Sequence, residues 1–347
     1  MCIDLSGRLK GRPFFVRWRL CKEIACSPAS GFALHILSAY SVDMKLCRLG
    51  QTATHLSPIG LGCWQFSMGR GLAGKYWKTL GREDVRAIVK ASLDGGVNWF
   101  DTAEAYGWGQ SERALATTLN ELGPRDGEVF IATKWMPPFR RAGHIGRSIH
   151  KRIAALDPYP IELYQIHLPV SLSSIRSQMK EMTALLRSNR IRAVGVSNFN
   201  ADQMRQAHAA LVEEGFSLAS NQIRYSMLDR DADDNGILDT CRELGITAIA
   251  YSPLAQGILS GRFHRDDDEQ KRLTGPRRFL PRFSKKGLAK SRPLVERLES
   301  MAMDHKASAA QIALAFTVQF HRGTVVAIPG ATSATQARSN AGRSADR

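Results

Sequence analysis

Eight short β-rich runs separated by helical segments restrict this chain more than any other feature. The runs are Ile59–Cys63, Val97–Asp101, Val129–Thr133, Ile161–His167, Ile191–Ser197, Leu218–Ile223, Ile246–Ala250 and Val325–Pro329. Between them, apolar residues recur at helical spacing: Val85, Ile88, Val89 and Leu93; Met179, Met182, Leu185 and Leu186; Ile312, Leu314, Ala315 and Val318. Glycines fall where helices should end, at Gly95-Gly96 before Val97 and at Gly245 before Ile246. Strictly alternating β and α demands a parallel sheet with helices outside it. Eight repeats match a closed (β/α)8 barrel better than an open, doubly wound sheet. The expectation is therefore an α/β fold, a single-domain TIM barrel over residues 44–347, preceded by a 1–43 extension.

A barrel of this kind places its chemistry at the C-terminal ends of its strands. Polar residues concentrate there: Asp101, Thr133-Lys134, His167, Ser197-Asn198, Gln222, Tyr251-Ser252 and Gly330 each lie at or just beyond the end of a run.

Charge narrows the partner. The 48 Lys and Arg against 32 Asp and Glu leave a net +16. The excess is concentrated: Lys271 to Arg297 holds ten basic residues and one acid, and Met136 to Arg152 holds five and none. Both stretches read as loops or loop–helix junctions, either a solvated basic surface or a rim around a phosphorylated ligand. No interleaved aromatics and no helix-turn-helix, zinc-finger or RNA-binding signature accompany them, so nucleic acid is not the expected partner. No run of 18 apolar residues suggests a membrane span. The six cysteines have no C-x-x-C pair and no neighbouring histidines, which argues against zinc and for a reducing, cytoplasmic compartment. An organellar site is the alternative if the extension, basic from Arg8 to Lys22, is a presequence. A start at Met44 would also explain why residues 1–43, expected to be poorly ordered, show no period.

Two motif matches fail on physical grounds. Gly69-Arg70-Gly71-Leu72-Ala73-Gly74 fits G-x-G-x-x-G, but Lys75-Tyr76-Trp77-Lys78 follows instead of the helix that must receive a pyrophosphate, so a flexible loop is expected. Asp231-x-Asp233-x-Asn235-Gly236 opens like a calcium loop, yet its twelfth position is Arg242, a cation where a bidentate carboxylate is needed.

The segment Asp101-Thr102-Ala103-Glu104-Ala105-Tyr106-Gly107 resembles the second-strand motif of the aldo-keto reductase family. Lys134 in Ala132-Thr133-Lys134-Trp135 and His167 in Leu163-Tyr164-Gln165-Ile166-His167 complete that family's catalytic tetrad. The resemblance continues through Gly195-Val196-Ser197-Asn198-Phe199, Asn221-Gln222, Ala250 to Gly257 and Ile328-Pro329-Gly330-Ala331-Thr332, spans about Leu49 to Asn340, and is similar in style to the bacterial and chloroplast reductases that include pyridoxal reductases. It implies hydride transfer between NADP(H) and a small aldehyde or ketone. The residue types suit that chemistry. A carbonyl that accepts hydride builds charge on oxygen, and Tyr106 can supply the proton. A phenol of pKa about 10 donates slowly at neutral pH. An adjacent ammonium, Lys134, held by Asp101, is expected to lower it, while His167 orients the carbonyl.

The resemblance also implies a cofactor site. Ser197, Asn198 and Gln222 would bind the nicotinamide carboxamide, and Tyr251 would stack on the ring. Ser252, Leu254, Gln256 and Gly257 would line the pyrophosphate. Gly330, Thr332, Gln336 and Asn340 would hold the adenosine end, with Arg262 or Arg338 on a 2′-phosphate. The loops at 66–79, 135–146 and 262–287 would set the substrate, with Trp64, Trp77, Trp108 and Trp135 as candidate apolar lining. Past Gly330 only Thr335 to about Ala341 could be helical, so part of the last helix and of the pocket wall is expected to be short. No metal is implied, and no oligomeric state. The competing function is a cofactor-binding regulatory subunit with little turnover, as in the potassium-channel β subunits that resemble this pattern.

Overall fold

A computed structural model describes residues 45–71, 76–123, 128–271, 273, 275–321 and 323–342. The expectations for residues 1–43, for a start at Met44 and for the tail beyond Gly342 lie outside the described residues, as does part of the Gly69–Gly74 loop. A short antiparallel hairpin, β1 (Cys47–Arg48) and β2 (His55–Leu56), comes first. Then follow β3 (Leu61–Gly62), α1 (Arg82–Asp94), β4 (Trp99–Asp101), α2 (Gln110–Leu122), β5 (Phe130–Trp135) and α3 (His144–Leu156). The alternation continues with β6 (Leu163–Ile166), α4 (Ile175–Arg187), β7 (Ala193–Ser197), α5 (Ala201–Val212), β8 (Leu218–Arg224), α6 (Ile237–Leu244) and β9 (Thr247–Tyr251). After β9 an insertion of short helical turns leads to α7 (Lys285–Asp304), and α8 (Ala309–Gln319), β10 (Val325–Ile328) and α9 (Ala334–Asn340) complete the chain.

Strands β3 to β10 pair in parallel in their sequence order. The two edges meet through Gly60 N–H on Ala327 O at 2.8 Å, Ala327 N–H on Pro58 O at 2.9 Å and Gly62 N–H on Pro329 O at 3.1 Å. This is the expected (β/α)8 barrel, with each of the eight runs placed as a strand and no end shifted by more than two residues. Gly60 is required at the seam: a Cβ there would stand 2.3 Å from the Trp99 indole. Trp99 belongs to the lower layer of the barrel interior, with Leu163, Ala193, Ala219, Ile249 and Val326. The hairpin contributes Leu49 and Leu56 to the same cluster, both almost fully buried, and so plugs the bottom of the barrel. No period in the sequence announces this plug, because each of its strands is two residues long.

The helical stripes are buried as their spacing requires: Val85, Ile88 and Val89 on α1, and Met179, Met182 and Leu185 on α4. Both basic stretches are loop–helix junctions: the first runs into the helix His144–Leu156, and the second passes through short turns into the helix Lys285–Asp304. On α7 the apolar residues Leu288, Leu298 and Ala302 are buried against Ile258, Phe263, Ile312 and Phe316, and Val295 is buried on the same helix; its many exposed Lys and Arg obscure that period. The Asp-rich segment forms a single helical turn, Asp231–Asp234, in which Asp233 pairs with Arg230 and accepts from Tyr225. Among the described residues no helix is long and apolar enough to cross a membrane, and Cys47, Cys63 and Cys241 are free thiols.

Candidate active site

The C-terminal ends of the strands open into one cavity of about 890 Å³, within the range of small-molecule and cofactor sites. Its wall includes Asp101, Tyr106 and His167 at one end. It runs past Ser197, Asn198, Gln222, Tyr251, Ser252, Leu254, Gln256, Gly257 and Arg262 to Gly330, Thr332, Gln336 and Asn340. Of the eighteen residues named for the site, two do not line the cavity, and one of these, Lys134, is fully buried behind it. Arg338 is exposed and is not part of the wall.

Lys134 comes from β5 and Asp101 from the end of β4. The ammonium donates to the Asp101 carboxylate in a short contact and to Thr102 O at 2.8 Å. The other Asp101 oxygen accepts from Gln165 at 3.1 Å and Gln222 at 2.8 Å. A buried charge pair with all these groups engaged is held rigidly. Lys134 Nζ stands 5.1 Å from the centre of the Tyr106 ring. Across from it, His167 meets Tyr106 edge-on, with ring centres 5.7 Å apart.

The expected lowering of the Tyr106 pKa is overturned in direction. Burial pushes the phenol well above its ordinary value, and the Asp101 carboxylate pushes the same way. Burial outweighs the help that the Lys134 ammonium, itself paired with Asp101, can offer a phenolate. Tyr106 therefore keeps its proton at neutral pH. His167 is driven the other way, down to about 3, by burial and then by Lys134. Its Nδ1 is enclosed without a hydrogen-bond partner among the described residues.

That shift carries a stability prediction. A histidine whose folded pKa lies below the unfolded value binds fewer protons folded than unfolded, so stability is full above about 6.5 and is lost as pH falls toward 3. Wild type should lose up to about 1.4 kcal/mol per pH unit more steeply in this window than His167→Gln. Denaturant midpoints of both proteins at a series of pH values check this; parallel pH dependences would refute it.

The groups assigned to a nicotinamide amide hold one another. Ser197 Oγ donates to Gln222 O at 3.0 Å, Asn198 Nδ2 to Ser197 Oγ at 3.0 Å, and Tyr251 OH to Asn198 Oδ1 at 3.0 Å. Asn198, Ser252 and Gln256 adopt left-handed φ values of 60°, 53° and 60°, a strained state for non-glycine residues that collects at functional sites. At the far end, Gln336 Oε1 accepts from Thr332 N–H at 2.9 Å, and Asn340 reaches Gly330 O at 3.4 Å.

Several wall residues were not anticipated. Arg277 is only 5% exposed, lies 4.2 Å over the Trp77 ring and donates to Gln256 O at 2.9 Å; burial and then Arg262 lower it to about 10. As one of ten basic residues in its stretch it carried no distinguishing signal. Gln165, fully buried behind the wall where it donates to Asp101, did carry one: it stands two residues before His167 along β6. Of the candidate tryptophans, Trp64 and Trp77 line the cavity, with Trp64 stacked on Tyr76 at 4.7 Å and on Tyr106 at 6.0 Å. Trp108 is 70% exposed, and Trp135 is buried against His144; neither lines it.

The sequence profile of the aldo/keto reductase family matches residues 58–345. The chain belongs to the aldo/keto reductase family. An uncharacterised oxidoreductase of Mycobacterium tuberculosis is 38% identical over 82% of this chain and 83% of its own length. The chloroplastic pyridoxal reductase of Arabidopsis thaliana is 31% identical over 83% and 78%. Among solved structures, an aldo-keto reductase of Klebsiella pneumoniae in complex with NADPH shares the fold. It has a TM-score of 0.64 and 24% identity over 86% of this chain and 89% of that one. As an aldo/keto reductase, the chain is an oxidoreductase of (β/α)8 architecture.

Proposed function

We propose that this aldo/keto reductase reduces an aldehyde or ketone to the alcohol with NADPH, and that Tyr106 supplies the proton. The observation that carries the reading is the buried Lys134–Asp101 pair set behind a cavity-facing Tyr106, with His167 across the same cavity end. The residues present suit a nicotinamide dinucleotide. The wall is long and continuous, and the Nε of Arg277, which lies deep in it, has no hydrogen-bond partner among the described residues. Ser197, Asn198, Gln222 and Tyr251 would hold the nicotinamide end, Ser252 to Gly257 with Arg262 the phosphates, and Gly330, Thr332, Gln336 and Asn340 the adenosine end. The dinucleotide, when bound, supplies the hydride. The K. pneumoniae protein carries NADPH, and a basic wall favours the cofactor with the extra phosphate.

Tyr106 holds a proton that an alkoxide, more basic than a phenolate, takes readily as charge develops on the carbonyl oxygen. The lowered His167 stays neutral throughout the working pH range and can hydrogen-bond the same oxygen without competing as an acid. Lys134 is committed to Asp101 and Thr102 O, so it shapes the field at Tyr106 and is not itself the donor. Trp64, Tyr76, Met136 and Leu168 would enclose the substrate. The test is a panel of aliphatic and aromatic aldehydes and ketones, assayed with NADPH and NADH in parallel. Turnover of none of them, together with tight NADPH binding, would instead support a cofactor-binding regulatory role.

Arg262 should set the cofactor preference. Arg262→Ala should weaken NADPH about 10–100-fold, the worth of one hydrogen bond to a charged group, and leave NADH nearly unchanged. Equilibrium titrations with both cofactors decide it; equal losses would move Arg262 to the shared pyrophosphate.

A further inference from the structure

A buried ion network stands behind the site and takes no part in the chemistry described. Glu104 lies two residues before Tyr106. Its carboxylate accepts from Met136 N–H at 2.6 Å, from Arg152 Nη1 at 2.9 Å and from Arg140. Arg152, on α3, also places Nε 2.7 Å from Glu112 Oε2. Glu112, on α2, accepts from Thr133 Oγ1 at 2.6 Å. Glu104, Glu112 and Arg152 are 7%, 0% and 6% exposed.

The topology of these contacts is specific. Thr133 immediately precedes Lys134 and Met136 follows it by two residues, so the network grips β5 on both sides of the ammonium. Glu104 grips the loop that carries Tyr106. Among the described residues, Arg152 is the one side chain that joins the two carboxylates. Gly109 makes room for it: with φ of +81°, it leaves 2.9 Å between its missing Cβ and Arg152 Nη2. Buried ionic groups give little net stability relative to a packed apolar core, because desolvation offsets their attraction. What they give here is fixed geometry, since one buried guanidinium, hydrogen-bonded to Glu104 and in charge contact with Glu112, ties the segments that carry both to α3.

We propose that Arg152 is a positioning residue that fixes the placement of Tyr106 relative to Lys134 by clamping the Glu104 loop to Glu112 and through it to β5. The proposal rests on the reading of Tyr106 and Lys134 as acid and partner, and it adds a requirement from outside the cavity. Arg152 touches neither substrate nor cofactor, so its loss should act on the reacting geometry alone.

The experiment compares full-length wild type with Arg152→Met, Arg152→Lys and the near-isosteric Glu112→Gln. In Arg152→Met, kcat on the best aldehyde of the panel should fall about 10–100-fold, the effect of a displacement near 1 Å. KM and the NADPH Kd should stay within about threefold. Arg152→Lys keeps the charge without the fork and should recover only part of the loss. Hydrogen–deuterium exchange provides a readout independent of turnover: peptides covering 102–109 and 133–136 should exchange about tenfold faster, with the other barrel strands unchanged. Should Arg152→Met not fold, Glu112→Gln carries both measurements, with a smaller loss of the same kind. Unchanged kcat in a folded variant, or exchange that rises evenly across the barrel, overturns the proposal. If wild type turns over no aldehyde, the functional reading fails on its own, and the exchange pattern still decides whether Arg152 clamps the loop.

Discussion

Tyr106→Phe should lower reductase turnover about 10²–10⁴-fold, the usual range for a positioned general acid, and should leave NADPH affinity nearly unchanged. The argument starts from burial. The phenol stands well above its ordinary pKa, so at neutral pH the wild-type ring carries a proton at the cavity wall. Phenylalanine keeps the ring, its stacking on Trp64 and its edge contact with His167, and removes only the hydroxyl. The hydroxyl matters when charge develops on the carbonyl oxygen, so the loss belongs in kcat and not in cofactor binding. Single-turnover oxidation of bound NADPH measures the chemical step directly. A variant that retained a tenth or more of the wild-type rate in that step would show that another group donates the proton.

The barrel was legible because its signals are periodic and repeated. Each strand is buried on both faces, so each reads as a short apolar run, and a polar residue stands at or beside the end of most runs, where the barrel opens. The site was legible for the same reason: Asp101, His167, Ser197, Gln222 and Tyr251 all occupy strand ends, a position computable from the strand alone. Three features had no such signature. The plug formed by Leu49 and Leu56 depends on two-residue strands that show no alternation. Arg277 reaches the cavity because a loop folds over Trp77, which is a tertiary outcome invisible among nine neighbouring cations. The direction of the Tyr106 shift was misjudged because spacing shows that Lys134 is near but not how completely the phenol is buried, and burial outweighs the ammonium. Arg152 illustrates the same limit: in sequence it belongs to a basic stretch, and only the packing of α3 on α2 turns it inward between two carboxylates.

Lys134→Met should be the most destabilising single change at the site. It removes the cation from a pair that is 0% and 1% exposed and leaves the Asp101 carboxylate with only the Gln165 and Gln222 amides. Losing one partner of a buried pair typically costs about 3–5 kcal/mol, a large share of the about 5–15 kcal/mol that holds a domain together. Removing the second charge separates structure from chemistry. The double variant Lys134→Met with Asp101→Asn has no buried charge left, and replacing both partners of a buried polar contact can be nearly neutral. Its denaturation midpoint should return most of the way to wild type while turnover stays low, because the field at Tyr106 and the rigid floor beneath it are gone. Urea unfolding and single-turnover rates on the two variants test this together. Recovery of turnover along with stability would mean that the pair serves the fold alone, and that Tyr106 donates its proton without help from Lys134.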